Sequence, residues 1–234
     1  MNQLNLHEGK AEYLRDFPYI IELVKLKIQN IQLNSFTVKT NEGIRIGLIT
    51  EGKFDWVIAG QGYTLFPGDT FLIYPWQEIG SPKGVLDIGA LCWVSLSPEL
   101  FDPSGLLQFG AWSSIPESEQ RVIGKILAMN KNPVVSRFGA GPQILQRIEH
   151  EILQQEIGYR TRINHLLDEL LISLVRHLSK AENFRRDFPQ IFSKLEQSLR
   201  ENLAHPWTVE EMAGLVGLGT TAFTEKVKAF TGFS

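Results

Sequence analysis

The spacing of hydrophobic and polar residues changes near the middle of the chain and divides it into two parts. Between residues 35 and 96, short runs rich in β-branched and aromatic residues alternate with turn residues, which predicts β-strands. The predicted strands are 36–40, 44–49, 54–58, 63–66, 70–74 and 85–96. Many short strands at this spacing predict a β-sandwich or a small β-barrel.

One turn between these strands has a clear stereochemical signature. In Phe66-Pro67-Gly68-Asp69, proline fixes φ at the second turn position. Glycine supplies the positive φ that a type II turn requires at the third position. We therefore predict that the chain reverses at Gly68 and enters the next strand.

From about Glu117 onward the pattern becomes helical. Hydrophobic residues between Arg162 and Lys180 recur at steps of three and four, which gives a helix with a broad apolar stripe. A second amphipathic helix is predicted from about Pro142 to Ile157, and Gly158 is a stop signal for it. The two helices are expected either to pack on the barrel, as a helical hairpin within one chain, or to pair across a dimer.

The last part of the chain predicts a helix-turn-helix. An amphipathic helix is expected from Phe188 to Leu203, and Thr208 and Glu211 then have the spacing of a capping box. A short helix follows to about Val216, Gly217 breaks it, and a second helix begins near Thr220. The alternative is an ordinary helical hairpin in an α-helical bundle.

Composition limits the class of protein. The chain has 234 residues, of which 43% are hydrophobic, which suits one large or two modest globular domains. Its N-terminus lacks the apolar segment of a signal peptide, and no apolar run reaches the ~20 residues of a membrane span. The single cysteine, Cys92, excludes an intramolecular disulfide. We expect a soluble cytoplasmic protein that does not engage a membrane.

Charge gives no support for strong DNA binding by the C-terminal segment alone. Residues 184–234 contain six basic side chains and six acidic ones. DNA-binding segments usually carry a basic excess, because neutralising phosphates supplies much of their affinity.

The C-terminal motif resembles the first helix-turn-helix of AraC/XylS-family transcription regulators. The resemblance covers about residues 189–234 and lies in Thr208–Ala213, Val216-Gly217-Leu218, Phe223, Lys228, Thr231-Gly232 and Ser234. Weaker cues in Glu51-Gly52, Pro67-Gly68-Asp69 and Tyr74-Pro75 are similar to the family's cupin-like sensor domain.

This resemblance implies an α+β fold with three parts. Residues 1–115 would form a cupin-like β-barrel or sandwich that binds an effector, and residues 116–183 a helical linker and dimerisation region. Residues 184–234 would form a partial, all-α helix-turn-helix domain. The implied DNA-contacting residues are Thr220, Thr221, Thr224, Glu225 and Lys228, with Thr220 and Lys228 near the DNA backbone. A homodimer is implied as well.

The sequence departs from the family pattern at several positions. Gly219 replaces a common N-cap serine, Glu225 a common arginine and Val227 a common phenylalanine, and Lys226 occupies a usually apolar position. The sequence stops at Ser234, where family members continue into a second helix-turn-helix. We expect weak operator binding from the chain as written.

An enzymatic barrel is disfavoured. Cupin metalloenzymes use two or three histidines and a carboxylate, and no histidine lies between residues 35 and 96. A metal site from Asp69, Glu78 and Asp87 alone is the remaining alternative. Cys92 lies in an apolar run and is expected to be a buried, unreactive thiol. We therefore predict no enzymatic activity, no cofactor and no metal.

A small-molecule pocket is the function that these residues favour for the β-rich half. Strand aromatics could line a barrel mouth, and a few polar groups could orient a ligand. The predicted effector-binding residues are Arg45, Trp56, Phe71, Trp76 and Trp93. The leading hypothesis is an effector-responsive DNA-binding transcription regulator. The alternative is a small-molecule-binding or interaction protein of cupin type without effective DNA binding.

Overall fold

The structure, a computed structural model, describes residues 3–180, 195 and 198–231, with side chains up to Lys228. The chain divides into two compact units. The first contains Met1–Glu99, Phe109–Ser114 and Asn132–Ser173, and the second contains Leu100–Gln108, Ile115–Lys131 and Leu174–Ser234. The fold is thus mixed, with a sheet-rich N-terminal half and helices after it.

Twelve strands are present among the described residues. They are β1 (Leu4–His7), β2 (Ile20–Ile28), β3 (Lys39–Thr40), β4 (Ile44–Gly52), β5 (Phe54–Ile58), β6 (Gln61–Leu65), β7 (Thr70–Ile73), β8 (Glu78–Gly80), β9 (Gly89–Leu96), β10 (Leu100–Phe101), β11 (Leu107–Gln108) and β12 (Val134–Val135). A short 3₁₀ helix, Glu12–Leu14, lies between β1 and β2.

The first unit is built from two antiparallel sheets. One has the order β1-β2-β9-β4-β7-β12 and the other β3-β8-β5-β6. Their facing side chains form a common core that includes Ile49, Leu91 and Phe71 from the large sheet and Trp56 and Ile79 from the small one. Successive strand residues point to opposite faces, so the opposite face of the large sheet is left for the helices.

Five helices are described: α1 (Glu117–Met129), α2 (Ala140–Gln154), α3 (Tyr159–Lys180), α4 (Val209–Leu215) and α5 (Thr220–Thr231). Helix α2 covers the outer face of the large sheet, where Lys25 of β2 forms an ion pair with Glu149 at 2.9 Å. The beginning of α3 pairs with α2 through Arg162 and Glu151, 2.5 Å apart. No described helix is long and apolar enough to cross a lipid bilayer.

The apolar stripe of α3 is buried within a single chain. Leu167, Leu170, Leu171 and Leu174 have no exposed surface. Of the two arrangements predicted for these helices, the structure contains the pairing within one chain, and the stripe gives no support for the predicted homodimer.

The second unit combines the β10–β11 hairpin, α1 and the C-terminal helices. Helix α1 packs tightly on the hairpin: a Cβ added at Gly124 would lie 2.3 Å from the carbonyl oxygen of Gly105. Helix α1 also contacts α4, and a Cβ at Gly217 would lie 3.0 Å from Cβ of Lys125.

Several sequence predictions of element boundaries need correction. The sheet begins at Leu4 rather than at residue 35, because β1 and β2 precede the predicted strands. Helix α2 ends at Gln154, where Gln155 adopts φ 51°, so the stop lies before Gly158. The turn at Gly68 is confirmed, with φ 91° and a 2.9 Å hydrogen bond from the amide of Asp69 to the carbonyl of Phe66.

The helix predicted at Phe188–Leu203 is described only in part. Residues 195 and 198–201 are helical, and the rest of its predicted beginning lies outside the described residues. The short, charged sequence of residues 182–187 predicts a linker, and Gly232 predicts the end of the second helix of the motif; both lie outside the described residues too.

Candidate effector cavity and nucleic-acid interface

A cavity of about 320 Å³ lies between the two sheets of the first unit. Its volume falls at the lower end of the range for small-molecule sites, ~300–1,000 Å³. Its walls are mainly the inward side chains of both sheets, and its rim includes the segment before β3. The lining residues used below are His7, Glu22, Phe36, Lys39, Arg45, Trp56, Phe71, Ile79, Leu86, Leu91 and Trp93.

One wall of the cavity is polar and is organised by the carboxylate of Glu22. Its Oε2 accepts hydrogen bonds from Nη2 of Arg45 at 3.0 Å and from Nε1 of Trp93 at 2.8 Å. Its Oε1 lies 3.4 Å from Nδ1 of His7. The guanidinium of Arg45 also lies over the Trp93 ring, 5.5 Å from its centroid, and its Nε donates to Oγ of Ser95 at 3.0 Å.

Arg45 is buried, and this affects its charge. Burial lowers the pKa of the Arg45 guanidinium below its ordinary value, while the carboxylates of Glu22 and Glu42 oppose that shift. Because the ordinary value is so high, the group keeps its charge at neutral pH. The buried pair of Arg45 and Glu22 is therefore ionic and held in place by hydrogen bonds to neighbours.

The other wall is aromatic and centred on Trp56. This ring contacts Phe36 with centroids 5.1 Å apart and Phe71 edge-on at 4.9 Å. Trp56 is only 2% exposed, and its buried Nε1 has no hydrogen-bond acceptor among the described residues. A buried donor without a partner costs free energy, and a hydrogen-bond acceptor that reached it would recover that cost.

Four of the five predicted effector-binding residues meet at this cavity: Arg45, Trp56, Phe71 and Trp93. The fifth, Trp76, is not part of its lining and stacks on Tyr74 with ring centroids 5.2 Å apart. The sequence analysis missed Glu22 because β2 was not recognised as a strand. The alternation of apolar Val24, Leu26 and Ile28 with Lys25 and Lys27 was the signal that would have found this strand.

Two of the three acidic residues considered for a metal site, Asp69 and Asp87, have other partners. Asp69 accepts from the amide of Phe66 and from the hydroxyl of Ser136, and Asp87 accepts from the amide of Asp55. Within the described part of the chain, no three His, Cys, Asp or Glu side chains are placed to hold a metal ion.

The thiol of Cys92 lies on the outer face of the large sheet, beside the Lys25–Glu149 ion pair. Burial is the main cause that raises its pKa to about 11. The thiol is therefore protonated at neutral pH. The side chain is half-buried rather than fully buried as the sequence predicted, and its lack of reactivity stays a prediction.

The second candidate site is formed by α4 and α5. The predicted capping box is present: the hydroxyl of Thr208 accepts from the Glu211 amide at 3.1 Å, and the Glu211 carboxylate accepts from the Thr208 amide at 2.9 Å. The helix therefore begins where the sequence predicted it. His205 also lies 3.2 Å from the Glu211 carboxylate.

A tight turn and a small core hold the two helices together. Gly217 adopts φ 68°, and the amide of Leu218 donates to the carbonyl of Ala213 at 2.9 Å, which closes the end of α4. The core comprises Leu195, Ala213, Val216, Leu218 and Phe223. Ala213 is 1% exposed, and its small side chain suits a position where the two helices pack closely.

The five predicted DNA-contacting side chains are exposed along α5, from its first residue to its last turn. They are Thr220, Thr221, Thr224, Glu225 and Lys228. The hydroxyl of Thr224 donates to the carbonyl of Thr220 at 2.8 Å, so it presents an acceptor and a methyl group outward. Thr221 has no such bond among the described contacts.

Comparisons with known proteins give neighbours at the level of structure. No protein-family model matches the chain, and no curated protein matches it. The cupin domain of Schizosaccharomyces pombe Cnp3 is similar with 13% identity and a TM-score of 0.27, over 41% of this chain and 63% of that chain. The chain thus covers less than two thirds of that relative.

Two solved structures extend over more of the chain. The AraC-like transcriptional activator CuxR has 10% identity and a TM-score of 0.36, over 100% of this chain and 90% of that chain. ToxT from Vibrio cholerae has 8% identity and a TM-score of 0.34, over 91% and 75% respectively. The structural neighbours therefore include a cupin domain and an AraC-like regulator, at low identity and low TM-scores.

Proposed function

We propose that the chain is an effector-responsive, DNA-binding transcription regulator. The proposal is supported by two features that occur in one chain. The first is a cavity lined by Trp56, whose buried Nε1–H has no partner among the described residues, and the second is a helix-turn-helix whose second helix exposes polar side chains. The second helix of such a motif enters the major groove, where hydroxyls bond base edges and lysines contact phosphates. In this proposal the chain acts in the cytoplasm and is not an enzyme.

The second candidate is a small-molecule-binding or interaction protein without effective DNA binding. The observation that favours it is the charge of α5, where Glu225 lies on the same exposed surface as Lys228. A carboxylate facing the DNA repels phosphates, so a single helix of this kind gives limited affinity. The predicted homodimer would bring two copies to neighbouring half-sites and raise affinity through their linkage.

The experiment is a selection of DNA sequences from a random pool with the full chain, followed by fluorescence anisotropy across a series of salt concentrations. For a regulator we expect one enriched sequence and a linear fall of log K with log salt. Lys228→Gln should reduce the magnitude of the salt slope by about 0.9, the loss of one phosphate contact. Glu225→Gln should tighten binding several-fold, since it removes one repulsive charge.

The matched control is Lys53→Gln, which removes an exposed lysine of the β-rich unit that pairs with Asp55 at 3.3 Å. It should leave DNA binding unchanged. No enriched sequence, together with the same salt slope for all variants, would refute the regulator proposal and support the second candidate.

A further inference from the structure

The unpartnered donor of Trp56 constrains what the cavity binds. Its Nε1–H is buried and has no acceptor in the part of the chain that the structure describes, and an indole nitrogen can only donate. The side chains around it are apolar, including Phe36, Phe71 and Ile79. A ligand that satisfies this donor must bring a hydrogen-bond acceptor into an otherwise apolar wall.

The charges at the polar wall cancel one another. Arg45 is paired with Glu22 at 3.0 Å, and their side chains are 9% and 15% exposed. An ionised ligand would lose its hydration in the cavity and find no unpaired opposite charge inside it. Lys39 also lines the cavity but is exposed, so solvent screens its charge.

The paired groups still offer hydrogen bonds. Arg45 donates from Nε to Ser95 and from Nη2 to Glu22. Among the described residues, Oε1 of Glu22 has only the longer contact with Nδ1 of His7, at 3.4 Å. A hydroxyl group both donates and accepts, so it suits a wall that presents both an N–H and a carboxylate oxygen. The small volume and the aromatic rings favour one flat ring over a long chain.

We propose that this cavity binds an uncharged, single-ring compound that carries a carbonyl-type acceptor for Trp56 and a hydroxyl for the Arg45–Glu22 wall. The inference rests on the proposed function, in which the cavity is the effector site. It goes further by naming the chemical class of the ligand and excluding carboxylates.

Three probes of matched shape test this on the full chain by calorimetry and tryptophan fluorescence at pH 7. They are para-hydroxyacetophenone, which is neutral with an acceptor, para-hydroxybenzoate, which is anionic, and para-isopropylphenol, which is neutral without that acceptor. We expect the ketone to bind ~10-fold more tightly than either other compound, about the effect of one buried hydrogen bond. Trp56→Phe should abolish the preference for the ketone over the isopropyl compound and keep the preference over the carboxylate.

Wild-type selectivity alone decides the outcome if Trp56→Phe fails to fold. Equal or tighter binding of the carboxylate, equal binding of the isopropyl compound, or binding of none of the three at millimolar concentration would each overturn the proposal. DNA binding of the chain is measured separately, with and without each of the three compounds. Ketone-selective binding without DNA binding would therefore refute the regulator function and leave the ligand class intact.

Discussion

At the scale of single residues, the Arg45–Glu22 pair dominates the polar wall of the cavity. Both side chains are largely withdrawn from solvent, and each has further hydrogen bonds, to Ser95 and to Trp93. A buried pair of this kind gives little net stabilisation over a well-packed apolar pair, but removing only one partner leaves a charge without compensation. Its principal effect is to fix the geometry of the wall.

We predict that Glu22→Gln destabilises the fold by ~3–5 kcal/mol, because Arg45 then stays charged and buried without a counter-ion. The double variant Glu22→Gln/Arg45→Met should recover most of this loss. Urea denaturation followed by circular dichroism measures both free energies of unfolding. A double variant that is no more stable than Glu22→Gln alone would contradict the coupling of these side chains.

At the scale of elements, contacts between backbones fix how α1 lies on the β10–β11 hairpin. The absence of a side chain at Gly124 lets the helix approach the carbonyl of Gly105. By contrast, a Cβ added at Gly214 of α4 would meet no other atom within 4 Å. Packing against the hairpin therefore excludes a side chain at Gly124, whereas there is room for one at Gly214.

We predict that Gly124→Ala destabilises the protein by ~1–3 kcal/mol, because a backbone oxygen cannot move aside cheaply. Gly214→Ala is the matched control, and it should be neutral or stabilising by up to ~1 kcal/mol through helix propensity. Thermal unfolding of both variants provides the comparison. Equal effects at the two positions would show that α1 does not pack on the hairpin as described.

The capping box of α4 predicts how the stability of the protein depends on pH. The pKa of the Glu211 carboxyl lies below its ordinary value of 4.5. The largest cause is the hydrogen bond that it accepts from the Thr208 amide, and the contacts with His205 lower the pKa further. A lowered pKa in the folded state means that this stabilisation is fully present above pH 4.5 and is lost as the pH falls through the folded-state value. The difference in melting temperature between wild type and Glu211→Gln should therefore be constant above that pH and shrink in acid. If the difference in melting temperature did not change with pH, the ionised Glu211 carboxylate would not be what stabilises the start of α4.

At the scale of the whole molecule, the proposal requires coupling between the ligand and DNA. If a ligand changes DNA affinity by some factor, DNA must change ligand affinity by the same factor, because the two equilibria are linked. Coupling in regulators is typically about 5–150-fold.

We therefore predict that the ligand's dissociation constant, measured with and without saturating DNA, changes by the same factor as DNA affinity measured with and without the ligand. Calorimetry and anisotropy on the same preparation provide the four constants. Binding of both partners with no coupling would contradict effector responsiveness and favour two independent binding functions.

The sequence by itself determined the local features whose cause lies in neighbouring residues. The turn at Gly68, the cap at Thr208 and the left-handed Gly217 follow from the conformations that these residue types allow. The apolar stripe of α3 and the strands β4, β5 and β7 followed from periodicity. Trp56 and Phe71 were selected for the cavity by residue type, without knowledge of where they meet.

Only the tertiary structure decided which residues share a site. Glu22 and Trp93 meet because β2 and β9 are neighbours in the sheet, although 71 positions separate them in the sequence. Trp76 resembles the other aromatic residues in sequence, yet it follows β7 and stacks on Tyr74 instead of lining the cavity. Strand order and register set these distances, and they depend on non-local packing that no short segment of sequence specifies.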